Sequence, residues 1–244
     1  MSCRVSIVVP TLNEAATLGR TLRHLSILEP PPWEILVVDG GSQDKTTAIA
    51  EAAAVSVIRT EKPGRSLQMN QGAKAATGDI LCFLHADTLV PDDLVAIIDE
   101  TLADPEVAVG GFVSIMNGAI KTWWLFALLN VLKTHLMPLI LRPYKYIEGF
   151  RLLFGDQVIF CHRQTFLECG GFDPDLPIME EADLCLKLMQ YGQIRQVNRV
   201  VQASDRRLVR WGVWKATAIY GGIGLLWGIG VQPTFLKRFY DDIR

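Results

Sequence analysis

The chain has 244 residues, half of them hydrophobic, with a formal net charge of -2 at pH 7 and a mean hydropathy of +0.23. That length holds one large domain with a substantial core, and the balanced charge offers no basic field for nucleic acid. The five cysteines have neither C-x-x-C spacing nor the even count of a disulfide framework, and fit core thiols in a reducing compartment.

Residues 4–9 form the first predicted strand, which starts almost at once and leaves no place for a signal peptide. Pro10 removes an amide donor and ends it, so residues 10–14 read as a turn. Thr11 or Asn13 can cap a helix to about Leu28, with Leu18, Leu22 and Leu25 on its inner face. Prolines 30–32 close that unit. Residues 35–38 are apolar without alternation, the pattern of a strand buried on both faces. Asp39 ends that strand, Gly40-Gly41 allows a tight turn, and Ser42 or Asp44 can cap the helix that follows to Ala54. A short strand at 55–59 leads through Gly64 into a helix ending near Ala76. Residues 80–84 are a buried strand that stops at His85-Ala86-Asp87, and Pro91 opens the next helix. The β-α-β-α-β-α-β-α order with short connections implies a parallel sheet covered on both faces.

Beyond Pro105 the pattern changes. Residues 107–115 read as a strand entering a mixed region. The 11 residues 122–132 are uncharged and rich in Trp and Leu, too short to span a bilayer. Lys133 and His135 interrupt the run before residues 136–141. A strand at 156–161, a short helix at 163–169, a helix at 180–191 and a last core strand at 194–197 follow. Residues 216–236 carry no charge, and Arg206, Arg207, Arg210, Lys215, Lys237 and Arg238 flank them. The run is near the roughly 20 residues of a span, but five glycines and Pro233 weaken it. The expectation is C-terminal hydrophobic helices, one or two of them, at a membrane interface, the alternative being packing on the domain or in a dimer. This divides the chain into a domain at 1–205 and an amphipathic or membrane-interfacial tail at 206–244.

Glu14, Asp39 and Asp87 each follow a strand or its turn. Parallel strands place their carboxyl ends on one edge, so these three acids should converge. Glu180, Glu181 and Asp183 open a helix. Grouped carboxylates suit a divalent cation or sugar hydroxyls; otherwise they are solvent-facing caps. Asp39 either meets a ligand or caps a turn. Arg65, after Gly64, offers a fork to phosphate. Asp156 and Gln157 either meet acceptor hydroxyls or cap a strand. His24 and His135 have no ligand spacing.

Five pieces in order carry a resemblance: Val8-Val9-Pro10-Thr11-Leu12-Asn13-Glu14, Val37-Val38-Asp39-Gly40-Gly41-Ser42-Gln43-Asp44-Lys45-Thr46, Gly64-Arg65-x-x-Gln68-Met69-Asn70-x-Gly72-Ala73, Phe83-Leu84-His85-Ala86-Asp87, and Gly171-Phe172 followed by Glu180-Glu181-x-Asp183-Leu184. Over about residues 4–190 the chain resembles the family 2 inverting glycosyltransferases, in particular a small bacterial branch. The resemblance implies an α/β fold of GT-A type, with a mixed, mostly parallel sheet and helices on both faces. It implies that Pro10, Thr11 and Glu14 line a nucleoside pocket, that Asp39 meets uracil, and that Arg65 lies near the base or diphosphate. Asp87 matches the last acid of the family's Asp-x-Asp element, which holds ribose and the metal-diphosphate unit. His85 stands where the first acid belongs, either as an Mn²⁺ ligand or as a hydrogen-bonding spacer. Glu181 matches the catalytic base, with Glu180 and Asp183 as alternatives. Asp156 and Gln157 would touch the acceptor. Arg206-Arg207-Leu208-Val209-Arg210-Trp211 is similar to the Gln-x-x-Arg-Trp element of processive relatives, with Arg207 in the Gln position.

The implied reaction is inverting transfer of a sugar, preferably from a UDP-sugar, to a hydroxyl or phosphate of a lipid-like acceptor. It uses Mn²⁺ or Mg²⁺ and takes place peripherally at the cytoplasmic face of a membrane. The alternatives are a nucleotidyltransferase acting on a sugar phosphate and a non-catalytic membrane-associated scaffold.

Overall fold

The computed structural model describes residues 3–117 and 124–240. Its strands are β1 (Val5–Thr11), β2 (Glu34–Asp39), β3 (Ser56–Arg59), β4 (Ile80–Phe83), β5 (Val107–Asn117), β6 (Phe160–His162) and β7 (Gln193–Ser204). The helices are α1 (Leu18–Leu25), α2 (Thr46–Ala52), α3 (Arg65–Ala75), α4 (Leu94–Leu102), α5 (Trp124–Leu141), α6 (Pro143–Ile147), α7 (Arg163–Glu168), α8 (Glu180–Leu188), α9 (Arg206–Trp211), α10 (Val213–Gly228) and α11 (Pro233–Leu236). The strands form one sheet in the order β3-β2-β1-β4-β6-β5-β7. All neighbours are parallel except β6, which runs against both β4 and β5. This is the mixed, mostly parallel α/β sheet of GT-A type expected from the sequence.

The pleat of β1 shows why Val5, Ile7, Val8 and Val9 are apolar, while the buried Ser6 hydroxyl is satisfied by donating to Glu34 Oε1 at 2.7 Å. Val5, Ile7 and Val9 face one layer, with Leu18, Leu22 and Leu25 of α1 and with α4. Val8 faces the other, with Leu36, Val38 and the Met69 and Ala73 side chains of α3. Period-two strands between two helical layers are apolar on both faces. Gly72 lets α3 lie close to the sheet, since a Cβ there would stand 2.4 Å from Val8 Cγ1.

Several boundaries differ from the expectation. β1 continues through Pro10 to Thr11, because its register against β2 runs on to Thr11 opposite Asp39. α1 begins only at Leu18, since Asn13 sits at φ 55° and Glu14 O accepts from Thr17 and Leu18 N–H first. The strand expected at 156–161 shrinks to β6, because residues 155–157 form a 3₁₀ turn and Val158 takes φ 52°. β7 is three times longer than the expected 194–197, since it pairs with β5 along its whole length.

The C-terminal hydrophobic helices expected for a membrane element are corrected. The uncharged run 216–236 is broken: α10 stops at Gly228, Gly230 turns at φ 95°, and α11 has four residues. Among the described residues no helix is long and apolar enough to cross a membrane. The glycines explain this. Cβ atoms at Gly224 and Gly228 would meet Met137 Cε at 2.8 Å and Leu141 Cδ1 at 2.1 Å, so α10 uses its glycine face to approach α5. Ala216 and Ile223 are buried, and Trp227 packs on the core beneath the sheet. The apolar run 122–132 lies partly outside the described residues; from Trp124 onward it belongs to α5.

Candidate active site

A cavity of about 690 Å³ opens at the carboxyl ends of β1 and β4. The last residues of β1 supply Pro10 and Thr11, and the turns after β1 and β4 supply Glu14, His85 and Asp87. The start of α3 adds Arg65, the start of α8 adds Glu180 and Glu181, and the chain at 154–156 adds Asp156. Tyr220 and Ile223 of α10, with Lys237 and Tyr240, complete it.

Glu14 and Asp87 converge, as the sheet edge requires, and Arg206 lies between them. Its Nη2 donates to both Glu14 carboxylate oxygens at 3.1 Å and to Asp87 Oδ2 at 2.7 Å. Burial works against the guanidinium charge, but the two acids outweigh it and hold Arg206 above its usual pKa. Asp39 does not line this cavity. It is 2% exposed, and its oxygens accept from the Gly41 and Ser42 N–H groups and from the Thr11 and Ser42 hydroxyls. Asp39 thus caps its own turn.

The glutamate pair depends on a strained start to α8. Met179 precedes it at φ 66°, ψ 19°, a left-handed conformation costing a non-glycine residue about 1 kcal/mol or more. It aims Glu180 and Glu181 inward, 5% and 7% exposed. Arg65 Nη1 lies 3.3 Å from Glu180 and 3.7 Å from Glu181. Burial, then the Glu180 carboxylate beside it, pushes the Glu181 carboxyl up to about 8 against the pull of Arg65. Gly155 brings the opposite backbone close. A Cβ on it would stand 2.4 Å from Glu181 Oε1 and 2.6 Å from His85 Nε2, so these two side chains meet the same point. Asp183 does not join them. It turns to Lys187, one helical turn on, at 2.8 Å, and is not part of the cavity wall.

Asp156 faces the cavity, where its Oδ2 accepts from Asn130 Nδ2 at 3.1 Å. Gln157 does not. It is fully buried, accepts from Phe154 N–H at 2.8 Å and donates to the Thr134 hydroxyl at 3.1 Å, so it braces the 3₁₀ turn. Gln68, Asn130 and Lys133 were not among the expected site residues. Gln68 donates to the carbonyls of Thr11 and Val38 at 2.7 Å and ties the ends of β1 and β2 together. Its sequence signal was a polar residue one turn into α3, facing the sheet beside Met69. Lys133 gave a weaker signal, a lone charge inside an apolar run.

The donor set fits a cation that arrives with its diphosphate. His85 and Asp87 lie on one turn and both line the cavity. Among the described residues no group of three His, Cys, Asp or Glu side chains is placed to hold a metal. A hard cation can take one or two protein ligands and complete its shell with phosphate oxygens and water.

The model of "Glycosyl transferase family 2" matches residues 6–167, which spans both wall-forming turns, α3 and Asp156. The chain is 33% identical over 99 residues to a glucosyl-3-phosphoglycerate synthase of Mycolicibacterium smegmatis, covering 37% of this chain and 33% of that one. It is 29% identical over 127 residues to a dolichol-phosphate mannosyltransferase of Pyrococcus furiosus, covering 49% and 36%. The alignments thus span about a third of the length of these curated relatives. Among solved structures, the chain is similar to a Pyrobaculum calidifontis mannosyltransferase in complex with GDP-Man and Mn²⁺, with TM-score 0.69, 19% identity and 98% and 68% coverage. It is also similar to the Mycobacterium tuberculosis glucosyl-3-phosphoglycerate synthase in complex with Mn²⁺, UDP and phosphoglyceric acid, with TM-score 0.65, 21% identity and 94% and 79% coverage. These likenesses agree with the GT-A fold, and the match over residues 6–167 covers the strands and turns that build the cavity: the chain belongs to glycosyl transferase family 2.

Proposed function

We propose that this chain transfers a sugar from a nucleotide-sugar donor, preferably a UDP-sugar, to an acceptor hydroxyl with inversion at the anomeric carbon. The observation that carries this reading is Glu181. It is a buried carboxyl with a pKa near 8, in a cavity whose facing wall presents Asp87 and His85. A base of that pKa is suited to accept a hydroxyl proton near neutral pH. Pro10, Thr11 and Glu14 receive the nucleoside, and Arg65 lies beside the glutamates, where its charge reaches both the base and the diphosphate. Asp87 and His85 would hold a divalent cation, which supplies neutralising charge to the leaving diphosphate when bound. Asp156 is the acceptor contact. One displacement with one base gives inversion.

The acceptor in this reading is lipid-like, and the protein works peripherally at the cytoplasmic face of a membrane. The support comes from α5, not from the C-terminal run. Leu128, Leu132, Leu136, Leu139 and Ile140 are all more than 40% exposed and recur at helical spacing along one face. Tyr144 and Ile147 of α6 extend it. Contiguous exposed apolar faces mark contact surfaces. The free cysteines agree with a reducing compartment.

Two measurements test the reading. Purified protein with Mn²⁺ and a panel of nucleotide sugars should bind one donor saturably and transfer its sugar to a component of a lipid extract, identified by mass spectrometry. Absence of saturable binding to every donor removes the transferase reading. Flotation with anionic liposomes should carry the wild-type chain and not a Leu132→Glu, Leu136→Glu variant; equal behaviour of the two removes the membrane contact.

A further inference from the structure

The turn that opens α8 has a conformation its own residue does not favour. Met179 lies at φ 66°, ψ 19°, where glycine is at ease and a residue with a Cβ is not. Such a conformation persists only where the surroundings hold it. Hydrogen bonds hold the start of the loop that leads to it. Asn70 donates to Phe172 O at 2.7 Å and accepts from Phe172 N–H at 2.9 Å, and Lys187 donates to Gly171 O at 3.1 Å. At the loop's end, Asp183 N–H donates to Met179 O at 3.0 Å. That bond needs the turn and does not impose it. Among the described residues no other hydrogen bond reaches Ile178 or Met179.

Apolar packing supplies the remaining hold. Ile178 is buried in one cluster with Ile223 of α10 and Leu236 of α11. Leu236 is fully buried and is not part of the cavity wall. Met179 packs against this cluster and also against the core that contains Ala182, Leu184 and Cys185 of α8. The segment that supplies Ile223 and Leu236 is itself fixed in two further places. Arg206 pairs with Glu14 and Asp87, and Gly224 and Gly228 bring α10 against α5. Ile178 and Met179 are thus held between the core that α8 joins and a C-terminal segment that is anchored elsewhere.

We infer that Leu236 and Ile223 are positioning residues for the base: by covering Ile178 and Met179 they hold the left-handed turn that directs Glu180 and Glu181 into the cavity. The inference rests on the transferase reading for what Glu181 does, but not for how it is held. Leu236 lies outside the cavity wall, so its effect on the reaction passes through the turn. Glu14 and Asp87 are carried by the turns after β1 and β4, on separate elements from α8. Loosening the turn should therefore separate turnover from nucleotide binding. A base must lie within hydrogen-bond reach of the proton it takes, and a misplacement of about 1 Å caused from a distance can cost on the order of a hundredfold.

The test compares Leu236→Ala in the full chain with the same variant carrying Met179→Gly or Met179→Ala as a second change. Both second changes remove the methionine chain beyond Cβ, and only glycine takes the left-handed turn without strain. Leu236→Ala should lower kcat about ten- to a hundredfold and leave UDP binding with Mn²⁺, measured by calorimetry, unchanged. Adding Met179→Gly should recover about fivefold or more, and adding Met179→Ala should not. Leu236→Met keeps the buried volume and should behave as wild type. Leu236→Val, a smaller truncation, gives the same comparison where the alanine variant does not fold. Hydrogen exchange at the Asp183 amide follows the turn without turnover. It should quicken in Leu236→Ala and slow again with Met179→Gly but not with Met179→Ala. An unchanged kcat, an equal effect of glycine and alanine, or loss of UDP binding in step with kcat overturns the proposal. If wild type transfers no sugar from any donor, the transferase reading falls, and the exchange contrast between glycine and alanine decides the positioning by itself.

Discussion

Glu181 is the residue on which most depends, and its protonation has a consequence for stability as well as for rate. Its folded-state pKa near 8 lies above the ordinary 4.5, so between those values the folded chain holds a proton that the unfolded chain has lost. Stability therefore falls as pH rises through that window and levels off above about 8. Glu181→Gln removes the titration. Its melting temperature relative to wild type should rise from about pH 5 to about pH 8 and then stay constant, an advantage on the order of a few kcal/mol at most. Thermal denaturation across that range checks it, and a pH-independent difference would count against the buried, protonated carboxyl. The same substitution should reduce turnover by about 10²–10⁴ while sparing donor binding. Asp183→Asn should leave turnover unchanged, because Asp183 pairs with Lys187 outside the cavity. A large loss there would transfer the role of base to Asp183.

At the scale of elements, the sequence revealed what periodicity controls and concealed what pairing controls. The apolar run 35–38 and the Leu18, Leu22, Leu25 spacing located β2 and α1, because burial on two faces or one face leaves a period in the residues. The antiparallel insertion of β6 and the length of β7 left none, since both follow from long-range partners. The same distinction holds in the site. Glu14 and Asp87 were legible from their places at strand ends. The turn away of Gln157 was not, because it is set by Thr134 on another helix. Nor was the burial of Asp39, whose oxygens are consumed by its own turn and by Thr11. Close approach is likewise visible only in three dimensions. Gly72→Ala places a Cβ 2.4 Å from Val8 Cγ1 and 3.0 Å from Val38 Cγ2. Alanine gains about 1 kcal/mol of helix propensity over glycine, but displacing α3 from a close-packed sheet costs about 1–3 kcal/mol. Since α3 carries Arg65 and Gln68, the variant should show lower thermal stability and weaker donor binding together. Full donor affinity with lowered stability would mean that the helix start is fixed independently of its packing.

Over the whole molecule, the decisive contact joins the two ends of the chain. Arg206 opens α9 and reaches back to Glu14 and Asp87 at the sheet edge, 192 and 119 residues away in sequence. The C-terminal run supplies α10 to the same cavity and packs on α5 by way of its glycines, which is why its apolar composition imitated a membrane element. Arg206 thus occupies the carboxylate that Asp87 would offer to a divalent cation. Removing one side of a partly buried ion pair leaves the other side uncompensated. Arg206→Met should therefore lower the melting temperature in the presence of a chelator, because Glu14 and Asp87 would face each other without a cation. Addition of Mn²⁺ should restore much of the loss, since anything that binds only the folded state stabilises it. Mn²⁺ binding without nucleotide, followed by electron paramagnetic resonance, should be tighter in the variant than in wild type. Unchanged Mn²⁺ affinity, with stability lost all the same, would show that Arg206 only fastens the C-terminal segment and does not compete for Asp87.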